Sequence, residues 1–87
     1  MKIPKKLKIG GHIYKVELVD MEDIDSASGE QDRHRNRIRI CKTDPQSQQE
    51  ETLLHEIIHA VNGGLKEEIV DSLAVSLYQV MKDNKII

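Results

Sequence analysis

Period-two alternation opens the chain. Leu7 and Ile9 stand among Lys6 and Lys8, and after Gly10-Gly11 the pattern resumes as Tyr14, Val16 and Leu18 around Lys15 and Glu17. Two such runs about a Gly-Gly pair predict a β-hairpin. Residues 20–36 are polar and rich in Asp, Ser, Glu and Arg; they read as a long loop with a short extended piece near Gly29 to Asp32. Alternation returns in Arg37-Ile38-Arg39-Ile40, a strand with one apolar face. The period then changes. Asp44-Pro45 predicts a helix start, with Asp44 as N-cap and Pro45 at the first helical position; Ser47 to Glu50 offers a capping box as an alternative. Leu53, Leu54, Ile57, Ile58 and Val61 form one stripe at helical spacing, and Gly63-Gly64 suits the helix end. A second helix runs from near Leu65 to about Asp83, with Ile69, Leu73, Leu77 and Val80 recurring at three- and four-residue intervals. The order strand, strand, strand, helix, helix predicts an α+β fold with a three-stranded sheet.

Composition narrows this picture. The 87 residues form one domain, 1–87, without Phe or Trp, so the core must come from Leu, Ile and Val. A bound metal that prefers the folded state would help so small a domain by mass action. Net charge is only −2, but the charges cluster: Lys2 to Lys8 is basic, Glu17 to Asp25 acidic, and Arg33, Arg35, Arg37, Arg39 and Lys42 make a second basic stretch. Such runs are commonly solvated faces. Cys41 is the only cysteine, which excludes an internal disulfide and a multi-cysteine metal site; it is expected to fill space at a strand end. No apolar run has the length of a membrane span and no signal-peptide core is visible, so the expectation is a cytoplasmic protein without a membrane partner.

The first helix carries the chemistry. "HEIIH" at 55–59 places His55 and His59 one turn apart on one face, able to aim both imidazoles at one tetrahedral zinc ion. Glu56 points about a quarter-turn away, where its carboxylate can reach a water on the metal. Zinc lowers the pKa of such a water to about 7, and the glutamate can take its proton. Both histidines fall more than a third of a turn from the centre of the apolar stripe, which argues against core histidines and leaves an exposed polar face as the alternative.

A hydrolytic zinc site needs a third protein ligand. The extended pattern with a further histidine six residues on is closed, because position 65 is Leu65 and position 62 is Asn62. A carboxylate from the second helix remains: Glu67, Glu68 or Asp71. Glu68 projects opposite the apolar stripe, whereas Glu67 and Asp71 share the flank that carries Ala74. Glu67 is the better candidate, though its adjacency to Glu68 leaves the choice open. Asp71, one turn later, suits a carboxylate that accepts the other N–H of His55 and fixes its ring.

With these residues in place, the chain resembles the gluzincins, zinc peptidases with a His-Glu-x-x-His helix and a glutamate ligand on the next helix. Their second pattern, Glu-x-x-x-Asp, is matched by Glu67-Glu68-Ile69-Val70-Asp71. More narrowly, "TLLHEIIHAV" with "EEIVDSLAVSLYQVMKDN" is similar to small phage and prophage metallopeptidase-like proteins, distantly of the ImmA/IrrE type. The resemblance implies a minimal zincin-like fold, a small twisted sheet packed on the metal helix, and one zinc ion held by His55, His59 and Glu67. It implies that the strand before the helix, Arg37 to Ile40, borders the cleft and pairs with an extended peptide, its arginines favouring acidic side chains. No residue is an obvious stabiliser of the transition state. Tyr78 lies about 16 Å of helix beyond Glu67, and among His12, Tyr14, Tyr78 and His34 the last is the best choice.

The expected function is hydrolysis of a peptide or protein substrate by metal-activated water with Glu56 as general base, with a partner protein that could complete so small a site. The alternative is a non-catalytic, metal-stabilised interaction module in which Glu56 is dispensable. Nucleic acid is the weakest partner class, since the basic 33–42 stretch lacks aromatic stacking residues.

Overall fold

The structure, a computed structural model, describes residues 1–25 and 27–87; Ser26, inside the expected 20–36 loop, lies outside the described residues. The first hairpin forms as anticipated. Strands β1 (Lys6–Ile9) and β2 (His12–Val19) pair antiparallel with Ile9 opposite His12. Gly10 and Gly11 both adopt positive φ, 58° and 83°, the primed two-residue turn whose twist matches that of the strands it joins.

The 20–36 segment holds more than a loop. A 3-10 turn at Met21–Ile24 buries Ile24, and Gly29–Asp32 forms β3, antiparallel to β4 (Arg37–Cys41). β4 also pairs parallel with β2, giving a mixed four-stranded sheet of order β1-β2-β4-β3. The class is α+β as expected, but the sheet has four strands rather than three. Periodicity could not reveal β3, because Gly-Glu-Gln-Asp contributes no apolar side chain to the core. Backbone pairing and cross-strand charge hold it instead: Arg39 Nε donates to Glu30 at 2.7 Å, and Asp32 takes Arg35 at 2.9 Å and Arg37 at 3.8 Å. These pairs also correct the expected use of the arginines. Arg37 and Arg39 are engaged by strand β3 rather than offered to acidic substrate side chains.

Helix α1 (Gln46–Val61) lies across one face of this sheet. Tyr14, Val16, Ile38 and Ile40 meet Leu53, with Leu7, Ile9, Ile57 and Ala60 packed around them. Burying aliphatic side chains of this size stabilises by about 1.5–3 kcal/mol each. Cys41 is buried at the end of β4, as anticipated. The helix begins one residue later than expected. Pro45 occupies the cap position and Asp44 makes no capping bond; Gln49 reaches back instead, donating to the carbonyls of Lys42 and Asp44 at 3.1 and 2.9 Å.

Helix α2 (Glu67–Asp83) packs on α1 rather than on the sheet, through Val70 and Ala74. The flank carrying Glu67, Asp71 and Ala74 faces α1, as the ligand reading expects, while Ile69, Leu73, Leu77 and Val80 remain 41–46 % exposed. Polar contacts at both ends of the helix explain this orientation. Glu67 and Asp71 meet the histidines of α1, and Tyr78 donates to Glu50 at 2.7 Å. Residues 67, 71 and 78 share one side of a helix, so satisfying them turns the apolar stripe outward.

Glu50 anchors this second contact and is only 1 % exposed. Burial raises its pKa, but bonds from Tyr78, Gln46 and the Met1 amino group, with the charge of Lys82, outweigh burial and hold it at about 2. The stability this carboxylate contributes is therefore present above pH 4.5 and lost as pH falls toward 2. Glu50→Ala is expected to cost about 1–3 kcal/mol at pH 7, since it removes the acceptor of the Tyr78 hydroxyl, while the half-exposed Lys82 turns to solvent. Thermal melts at pH 7 and pH 3 check this: the gap between variant and wild type should narrow at the lower pH. Tyr78 is thus committed to Glu50, away from the histidines. Among the described residues, no helix is long and apolar enough to cross a membrane.

Candidate metal centre

The turn between α1 and α2 brings His55, His59 and Glu67 together. His55 Nε2 lies 2.7 Å from Glu67 Oε1, His59 Nε2 lies 2.9 Å from Glu67 Oε2, and the two Nε2 atoms are 3.1 Å apart. Asp71 Oδ1 stands 3.1 Å from His55 Nδ1. With Nδ1–H donating to Asp71, the Nε2 lone pair of His55 would face the cluster. Two imidazole Nε2 atoms and a carboxylate thus converge on one small volume, where they either share protons in hydrogen bonds or hold a cation. With bonds of about 2.0–2.1 Å to zinc, neighbouring donors of a tetrahedral site lie about 3.3 Å apart. The observed spacings of 2.7–3.1 Å are somewhat shorter, so the three groups could hold a metal ion after a small outward shift. Glu68 is exposed and outside the cluster; among the described residues, Glu67 is the carboxylate grouped with the two histidines.

These donors line a cavity of about 410 Å³, along with Glu56, Gln48, Thr52, Ser28 and Gly29, the first residue of β3. Glu56 is buried beneath it, 7 % exposed. Burial, and then the charges of Glu67 and Glu30, push its pKa up to about 7. A bound divalent cation would counter those negative charges and favour the ionised form.

Strand β3 passes very near α1 at Gly29. A Cβ there would stand 2.5 Å from Thr52 Cγ2, 3.1 Å from the Arg39 carbonyl and 3.3 Å from Glu56 Oε2. Gly29→Ala should therefore force β3 off the helix and cost about 1–3 kcal/mol, read as a lower denaturation midpoint. This strand also takes the place expected of Arg37 to Ile40. β4 has neighbours on both edges, β2 and β3, and so offers no free edge; β3 is the outer strand beside the cavity.

His34 is not brought to the site. It lies exposed in the β3–β4 turn, where its backbone N–H donates to Asp32 at 3.0 Å. The neutral donors that do line the cavity are Gln48, Thr52 and Ser28. Gln48 and Thr52 were legible in principle, since 48, 52, 55 and 59 recur at four, three and four residues, one face of a helix. Ser28 carried no such signal. Comparison with protein-family models, curated proteins and solved structures finds no match to this chain.

Proposed function

We propose that this chain is a zinc-dependent peptide hydrolase of minimal gluzincin type, with His55, His59 and Glu67 holding one ion and Glu56 as general base. The carrying observation is the convergence of two imidazole nitrogens and a carboxylate at 2.7–3.1 Å, with Asp71 beside Nδ1 of His55. The sheet laid over the metal helix is the architecture this zincin-like reading asks for. Bound zinc would supply a Lewis acid that acidifies water and polarises the scissile carbonyl. The chain supplies the rest. Glu56 accepts the proton of the attacking water and returns it to the leaving amine. The free edge of β3 offers backbone N–H and C=O groups to an extended peptide, and Gly29 keeps that edge close to Glu56. Gln48, Thr52 and Ser28 are the side chains available to stabilise negative charge on the carbonyl oxygen.

A second reading has its own support. Val70 and Ala74 are the only fully buried apolar residues of α2, so an ion bridging α1 and α2 would staple them whether or not chemistry follows. The test is mass-spectrometric detection of cleavage in a mixed peptide library. Cleavage by zinc-loaded protein that stops with chelator and in Glu56→Gln supports the hydrolase. Zinc-loaded protein that cleaves nothing, or a variant that cleaves as fast as wild type, contradicts it in favour of the staple.

A further inference from the structure

The outward stripe of α2 has no role in the centre described above. At about 100° per residue, Ile69, Leu73, Leu77 and Val80 fall within an arc of about 80°, all of them 41–46 % exposed. Four half-exposed aliphatic side chains in one unbroken row make a contiguous apolar patch, the kind of surface that marks an interaction site on a small soluble domain. We propose that this row is the contact surface of a twofold dimer, in which α2 packs antiparallel on α2 of a second copy of the chain.

The row is self-complementary. A twofold axis passing close to Val75 brings Leu73 near Leu77 of the partner subunit and Ile69 near Val80 of the partner subunit, each within one residue of level. The same operation brings Lys66, just before the helix, beside Asp83 of the partner subunit at its last turn, and repeats that pair at the other end. A parallel arrangement would instead place lysine beside lysine and aspartate beside aspartate. Antiparallel packing also sets the two helix dipoles head to tail. Ser72 and Ser76 flank the row and are short, which suits the 8–10 Å axial separation of closely packed helices. Glu67 and Asp71 occupy the other flank of α2, so the cavity stays open in the dimer. A single pair of seventeen-residue helices makes a modest interface, so the dimer forms in the micromolar range, about 1–100 µM.

Sedimentation velocity of the full chain over about 1–300 µM tests this range. Wild type should shift from monomer to dimer with rising concentration. Leu73→Glu and Leu77→Lys, each folded by circular dichroism, should each raise the dissociation constant by about tenfold or more. An equal mixture of the two variants should dimerise again, because the introduced carboxylate and ammonium then face each other. Wild type that stays monomeric at the highest concentration, variants that dimerise as well as wild type, or a mixture no better than either variant alone would each overturn the proposal.

Discussion

Glu56→Gln is expected to stabilise the metal-free protein at pH 8 and to disable the metal-loaded one. Glu56 has its folded pKa raised from 4.5 to about 7 by burial and by the charges of Glu67 and Glu30. Between those values the folded chain keeps a proton that the unfolded chain has released, so stability falls as pH rises through the window and the full penalty applies above about pH 7. Glutamine has no charge to bury. The gain at pH 8, discounted for partial exposure, is about 1–3 kcal/mol, or roughly 5–15 °C in Tm for a chain of this size. At pH 4.5 the two proteins should melt together. With zinc present the gap should shrink, because the ion offsets the neighbouring negative charge. The same substitution removes the base and should slow peptide cleavage by about 10²–10⁴-fold. Melts with chelator at the two pH values check the first half. Equal Tm at pH 8 would contradict the buried, proton-holding state of this carboxylate.

His59→Ala and Asp71→Asn should weaken zinc binding to different degrees. In structural zinc sites about 10–16 kcal/mol is shared among four protein ligands, about 3 kcal/mol each, so loss of His59 should cost on the order of 10²–10³-fold. Asp71 touches no ion in this reading. It holds His55 Nδ1 at 3.1 Å, and a residue acting through a ligand is worth about 10–100-fold. Stability should follow affinity, since zinc at a hundred times its dissociation constant stabilises the fold by about 2.7 kcal/mol. Competition with a zinc indicator measures both variants. Asp71→Asn binding as weakly as His59→Ala would mean that Asp71 is itself a ligand.

How much of this was legible in the chain depended on what each residue buries. Strands β1, β2 and β4 alternate because one face of each lies under α1, and alternation is a record of burial. β3 buries no apolar side chain; its ion pairs to Arg37 and Arg39 are between residues distant in pattern, so it left only the faint extended piece at Gly29 to Asp32. The stripe of α2 was plain, yet its direction was not. Periodicity says that four aliphatic residues share a face, and it does not say whether that face meets α1. The answer was set by Glu50, Tyr78, Glu67 and Asp71, whose pairings cross 8 to 28 residues of sequence. The centre itself was legible because helical geometry fixes His55 relative to His59, and Glu67 relative to Asp71, before any tertiary contact forms. What lines the rest of the cavity depended on β3, and was lost with it.

The proposed hydrolase stands on His55, His59 and Glu67 forming one metal site. Zinc titration of chelator-treated protein by calorimetry, wild type beside His55→Ala and Glu67→Ala, tests it most directly. One tightly held zinc ion per wild-type chain and clear weakening in both variants are expected. Wild type that takes up no zinc, or variants that bind as well as wild type, would contradict it.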